Sequence, residues 1–220
     1  MSETAEHEVQ APDQAGSEES VGDGLSEQER ERRAAALAEV RTFGDPVLRS
    51  RASEVTEYGD ELAAEAARMV AIMRDALGVG LAATQLGVLR RLLVFQSAPD
   101  ARAVAVANPQ LEWISEQREI SEEGCLSLPG IGLEVERPLH ARVSGRDVHG
   151  GPLLLEASGL EARVLQHEID HLDGVLILDR TQRDQRKGAL RALREGATYS
   201  PDPDPEPDSE SKPEPEPDEA

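Results

Sequence analysis

SGLEARVLQHEIDHLDG, residues 158–174, decides how the rest of the chain must be arranged. Ser158 with Glu161 three residues on has the form of a capping box, and Gly174 is a stop signal. The spacing predicts a helix over 159–173. At about 100° per residue, Leu160, Val164, His167 and His171 fall within roughly 60° of one another. The two imidazoles therefore stand one above the other, with Glu168 beside their face. Leu165, Ile169 and Leu172 make the other sides apolar, and a helix apolar all round belongs at the centre of a domain.

A single histidine on an apolar face is most often a satisfied core residue. Two at i and i+4, with a glutamate directly after the first, are different. That spacing converges two ring nitrogens on one ion and leaves a carboxylate within reach of bound water. A third ligand is then required. The one cysteine, Cys125, stands in EEGCLSLPG, residues 122–130, where Gly124, Pro129 and Gly130 suit a loop that brings its backbone close to an ion. Cys125 is either that ligand or a small buried hydrophobe. A third stretch, GVGLAATQLG at 78–87, carries small residues that let another backbone approach, and Gln85 can donate to an oxyanion. By itself it also reads as a tight helix-to-strand turn.

The formal net charge is −21 over 220 residues, but the acidity sits at the ends. Residues 1–29 hold nine acidic and no basic residues, and 200–220 hold nine acidic against one basic, which leaves −4 for 30–199. Both ends lack the apolar residues that offset the entropy of ordering. We therefore expect an acidic disordered extension over 1–33, one domain over 34–196 and an acidic, Pro-rich disordered tail over 197–220. Aromatic residues are 2%, so the core must be built from Leu, Val, Ile and Ala. One cysteine rules out an intrachain disulfide. The acidic N-terminus has no apolar signal region and no run of 18 apolar residues occurs, so a cytoplasmic protein without a membrane partner is expected, and none that binds DNA.

Along the body, VRTFGDPVLRSRASEV (40–55) offers an apolar run, a Gly-Asp-Pro turn and extended chain. Leu62, Ala66, Met69, Val70, Met73 and Leu77 are at helical spacing, predicting an amphipathic helix over 59–77. VLRRLLVFQ (88–96) and ARAVAVANPQLEWI (101–114) read as strands, the second closed by an Asn-Pro turn. LHARVSGRDVHGGPLLLEAS (139–158) reads as two strands about a Gly-rich connection. A last helix over 181–195, with a capping box at Thr181 and Asp184, aligns Arg183, Lys187, Arg191 and Arg194 along one basic stripe. The class is α+β: antiparallel or mixed sheets around the central helix.

Taken together, the three chemical stretches resemble bacterial peptide deformylase. G-x-G-L-A-A-x-Q is present as Gly78 to Gln85, E-G-C-L-S as Glu123 to Ser127 and Q-H-E-x-D-H as Gln166 to His171, in the family's order. The resemblance covers residues 38–195. It implies Cys125, His167 and His171 as ligands of one divalent metal, iron(II) by family habit, with zinc, nickel or cobalt tolerated. It implies hydrolysis of the N-formyl group on the initiator methionine of nascent chains. Glu168 would be the proton shuttle, and Gln85 and the Leu126 N–H would hold the oxyanion. Val79, Gly80, Glu123, Leu160, Arg163 and Val164 would border the methionine pocket. At 163 an arginine must send its head to solvent or pair with Glu161 or Glu123. Asp170 is expected to support the ligands by hydrogen bonding, and His140 and His149 to face solvent. The basic helix is either a solvated face or, as the resemblance suggests, a ribosome-docking element.

Overall fold

The computed structural model describes residues 24–98 and 101–201. Among the described residues, four α-helices, α1 (Glu27–Glu39), α2 (Asp60–Asp75), α3 (Leu160–Leu172) and α4 (Arg183–Glu195), flank seven strands, two before them in the chain and two after. These are β1 (Gly80–Ala82), β2 (Leu92–Phe95), β3 (Val104–Ile114), β4 (Arg118–Cys125), β5 (Leu128–Pro138), β6 (His140–Arg146) and β7 (Pro152–Ser158). Five strands form one sheet in the order β1-β2-β3-β6-β7, and β4 and β5 form a separate hairpin. Every pairing between these strands is antiparallel.

Helix α3 packs against β1, β2 and β7 of the large sheet and against β5 of the hairpin, which makes it the central element expected from its apolar circumference. Leu165 and Leu172 are fully buried, each contributing on the order of 2 kcal/mol. Its start differs from the expected capping box. The N-cap is Gly159, at φ 56°, with no side-chain cap, and Ser158 Oγ instead meets His140 Nδ1 at 2.8 Å. The left-handed turn at Gly159 lets β7 reverse directly into the helix.

Three clusters make up the core. One joins α1 and α2 to β1 and β2; a second packs α3 on the large sheet; a third seats β5 on α4 and on Leu176, Ile177 and Leu178. Phe95 is the one buried aromatic carbon side chain among the described residues, as the composition requires.

Four local readings change in the structure. Asn108-Pro109 does not close a strand, because β3 runs through it with a register shift and Asn108 at φ 52°. The Asn108 side chain is tied to Val55 N–H and C=O, so a side-chain clamp from a distant segment supports the bulge. Cys125 ends β4 within a hairpin and does not sit in a free loop, since Glu119 to Gly124 pair with Gly132 to Arg137. At α4 the N-cap is Gln182, and Thr181 Oγ1 bonds the Gln185 side chain. Helix α1 lies partly within the segment expected to be disordered: it starts at Glu27, with Ser26 and Glu29 forming a reciprocal capping box, and Ala36 and Leu37 reach the first core cluster. At the other end, residues 197–200 are placed against the domain, and the expected tail beyond 201 lies outside the described residues, as do 1–23.

Candidate active site

The site is assembled where the C-terminal half of α3 faces the end of β4 and the turn after β1. His167 and His171, one turn apart, have ring centroids 5.0 Å from each other. Cys125 Sγ lies 3.2 Å from His171 Nε2. The ligand atoms of Cys125, His167 and His171 all fall within 4.8 Å of one another. A cysteine sulfur and two imidazoles at this separation could hold a metal ion, the usual three-ligand set leaving a fourth position for a non-protein ligand.

Glu168, on the adjacent face, is buried, and its Oε2 has no hydrogen-bond partner. Burial pushes its carboxyl up to about 7, into the range suited to taking and returning a proton near neutrality. Gly80 is what admits it: a Cβ there would lie within 2.9 Å of Glu168 Cδ and Cγ. The small residues of the Gly78–Gln85 motif therefore make room for a carboxylate side chain rather than for a second backbone.

Gln85 is buried on a 3-10 turn, Ala83–Leu86, that follows β1. Its Oε1 accepts from the Ala82 N–H at 2.9 Å, which points Nε2 towards Cys125 Sγ at 3.8 Å and Ser127 Oγ at 3.3 Å. An NH₂ group held in this way is a preorganised donor. Thr84 Oγ1 donates to His171 O, tying this turn to the end of α3.

A network of buried charges supports the imidazoles. Glu123 Oε2 meets His167 Nδ1 at 3.0 Å, leaving Nε2 of that ring for the cluster. The same carboxylate accepts a two-nitrogen fork from Arg137 and a third bond from Arg163 Nη1. Burial alone would raise the Glu123 carboxyl, but hydrogen bonds from His167 and Arg137 hold it at about 2. Burial opposes a charge on His167 as well, yet contacts with Cys125 and Glu123 hold it well above its ordinary value, whereas burial and the neighbouring His167 push His171 well below. Arg163 thus takes the Glu123 pairing, with Nη1 also donating to Val135 O and Nη2 to Glu119 O. Asp170 bonds Arg137 and Arg180, so it supports Glu123 through Arg137 and touches neither imidazole.

All of this borders a cleft of about 670 Å³. Val79, Gly80, Glu123, Leu160, Arg163 and Val164, grouped from sequence as pocket residues, line it together with Gln85, Cys125, Leu126, His167 and Glu168. His171 lies beneath, 1% exposed. His149 is exposed, and His140 is half-buried on Ser158, both apart from the cluster. Sequence reasoning missed Arg137, since nothing in the local GLEVERP marks it as a buried partner of Glu123. It also missed Arg33, Thr198 and Tyr199, which line the cleft from outside the three motifs. A second cleft of about 680 Å³, beside residues 53–62, holds none of these groups.

This geometry has close relatives. A family model for polypeptide deformylase matches residues 37–187. The chain is 45% identical over 167 residues to peptide deformylase 1 of Corynebacterium glutamicum, covering 75% of this chain and 99% of that protein. It is 46% identical over 160 residues to the peptide deformylase of Acidothermus cellulolyticus, covering 73% and 87% respectively. Among solved structures, a Synechococcus elongatus peptide deformylase in complex with actinonin superposes with a TM-score of 0.67 at 40% identity, over 72% of this chain and 88% of that one. The Thermus thermophilus enzyme gives 0.67 at 42%, over 71% and 93%. With residues 37–187 matched by the family model and about three quarters of the chain matched in sequence and in fold, the chain belongs to the polypeptide deformylase family.

Proposed function

We propose that the protein removes the N-formyl group from the initiator methionine of newly made polypeptides, with Cys125, His167 and His171 holding one divalent metal and Glu168 moving the proton. The observation that carries this assignment is the juxtaposition of a sulfur and nitrogen cluster that could hold a metal with a buried carboxylate, Glu168, whose Oε2 has no hydrogen-bond partner, in a chain of this family. The donor set fits a metal: three protein ligands converge, and Glu123 orients His167 from behind. When bound, the ion lowers the pKa of water and polarises the formyl oxygen.

The chain's own groups do the rest. Val79, Gly80, Leu160 and Val164 form the lining that receives the methionine side chain, and Glu123 and Arg163, satisfied by each other, close it without presenting free charge. Water attacks the formyl carbon as Glu168 takes its proton. Gln85 Nε2 and the Leu126 N–H donate to the oxygen that becomes negative. The C–N bond then breaks, Glu168 passes its proton to the departing amine, and formate leaves.

Iron(II) is the metal we assign, because a Cys-His-His set alone also accommodates zinc, nickel or cobalt and family usage favours iron. Metal analysis of protein purified without oxygen tests this, and a full complement of zinc would refute it. The activity is tested by Glu168→Gln, which should retain metal yet lose at least 10²-fold in formate release from formyl-Met-Ala-Ser. Activity within tenfold of wild type removes Glu168 from that role.

Nascent chains place the enzyme in the cytoplasm, and α4 is the surface we assign to the ribosome. Arg183, Lys187, Arg191 and Arg194 are all exposed along it, and among the described residues only Arg191 is paired, to Glu195. Salt-sensitive co-sedimentation with ribosomes should disappear when the four charges are reversed. Unchanged sedimentation makes the stripe a solvated face.

A further inference from the structure

Two stretches beyond the three motifs reach the cleft. One is α1, through Arg33 and Leu37; the other is the chain after α4, through Thr198, Tyr199 and Ser200. Arg33 and residues 198–200 lie outside the 37–187 match to the family.

Both are firmly seated. Leu37 packs with Ala36 on the α2 core, and Arg33, one turn earlier, falls on the same side of α1. After Gly196 the chain turns back and adds to β5: Tyr199 N–H donates to Gly130 O at 2.9 Å and Gly132 N–H to Tyr199 O at 2.7 Å. The Tyr199 ring lies against Gly188 of α4, where any Cβ would collide with it. Ser200 Oγ donates to Glu122 at the rim.

Charge within the cleft is unevenly satisfied. Arg163 is paired with Glu123 and also donates to Val135 O and Glu119 O. Arg33 is not: its Nε is buried without an acceptor, and it forms no ion pair among the described residues. It lines the same cleft as Cys125, His167 and Glu168, from outside the family match. A peptide whose formyl group is at the Cys125 cluster continues along this cleft beyond its methionine, where Arg33 is a cationic side chain of the wall without a carboxylate partner among the described residues. A guanidinium on a cleft wall with no carboxylate partner of its own is matched to a ligand carboxylate, which it can bind through two parallel hydrogen bonds.

We propose that Arg33 is a specificity residue that binds an acidic side chain on the formylated peptide just downstream of methionine. The proposal rests on the deformylase reading. It is tested with two C-terminally amidated peptides, formyl-Met-Ala-Asp-Asp-amide and formyl-Met-Ala-Lys-Lys-amide, whose blocked ends remove the terminal carboxylate as a confounding ligand. Wild-type enzyme should favour the acidic peptide by about tenfold in kcat/KM, carried by KM. Arg33→Ala should bring the ratio to within about twofold of unity, Arg33→Lys should restore part of it, and Arg33→Glu should reverse it. Circular dichroism and Tm confirm that each variant is folded. A ratio unchanged in Arg33→Ala, or an equal loss on both peptides, overturns the proposal. If wild type releases formate from neither peptide, the deformylase reading fails instead. Calorimetric binding of the same two peptides to the Glu168→Gln protein then still measures the Arg33 preference: an Arg33-dependent difference in Kd upholds the subsite, and equal Kd values overturn it.

Discussion

Replacing Gly80 by alanine adds one carbon at the most crowded point of the site. Gly80 does not use the left-handed region, so alanine can adopt its backbone conformation, and β1 is held in register by Gly80 opposite Phe95. The strain therefore falls on Glu168. The new Cβ would stand 2.9 Å from both Cδ and Cγ of that side chain and closer still to Oε1. Ordinary carbon contacts begin near ~3.5 Å, so the carboxylate must retreat by on the order of 0.5–1 Å. A misplacement of this size in a group that must meet a reacting atom costs about 10²-fold in rate, or about 2.7 kcal/mol of barrier. The proposed ligands Cys125, His167 and His171 are not touched, so metal content should stay at the wild-type level. Measuring kcat on formyl-Met-Ala-Ser, bound metal and Tm together separates these effects. Gly78→Ala is the contrast: its nearest neighbour is the tip of the Leu126 side chain at 3.0 Å, which can rotate away, and kcat should fall by no more than roughly fivefold. If Gly80→Ala keeps metal and retains kcat within threefold, the carboxylate is not positioned by this contact and its placement as the proton shuttle is wrong.

Arg137→Met leaves Glu123 and Asp170 as buried carboxylates without their shared partner. It should destabilise the fold by about 3–5 kcal/mol, read as a drop in Tm on the order of 10 °C, and weaken metal retention because Glu123 no longer orients His167. Unchanged Tm and metal content would show the network to be dispensable. The acid limb of stability should depend on Glu123. Its carboxyl is held at about 2 against an ordinary 4.5, so its stabilisation is complete above the higher value and is lost as pH falls towards the lower. Glu123→Gln should flatten Tm against pH across that interval, and an unaltered profile would exclude the group. Truncation separates the ordered ends from the acidic ones. Ending the chain before Ala197 removes Tyr199 from β5 and α4 and should lower Tm by on the order of 5 °C, whereas ending it after Pro201 should leave Tm unchanged because residues 202–220 carry no large apolar side chain. Equal Tm values for the two cuts would show that the returning segment adds nothing.

How much was legible in the sequence follows from the range of the interactions involved. Periodicity and end signals act within one turn, and they were sufficient for α2, α3 and the 181–195 helix, for the central burial of α3, and for the strands around the Gly-rich connection at 147–151. Helical spacing alone placed His167 above His171 with Glu168 beside them, because that geometry is internal to one element. The Ser26–Glu29 capping box was equally readable, and the acidity of the first 29 residues obscured it. Cys125 was undecidable locally. Whether it is a ligand or a core residue depends on a hairpin whose partner strand begins three residues later, and on a helix some forty residues away that brings His171 Nε2 to 3.2 Å. Arg163 was ambiguous for the same reason, since its head could reach solvent or two different glutamates until β4 and β5 closed over α3. Arg137, Arg33 and Tyr199 had no sequence signal, because their roles come from contacts across sheets and chain ends that no local spacing encodes. The three motifs were written in short stretches of sequence, but the buried charges around His167, and the cleft wall that lies beyond those motifs, exist only once the chain has folded back on itself.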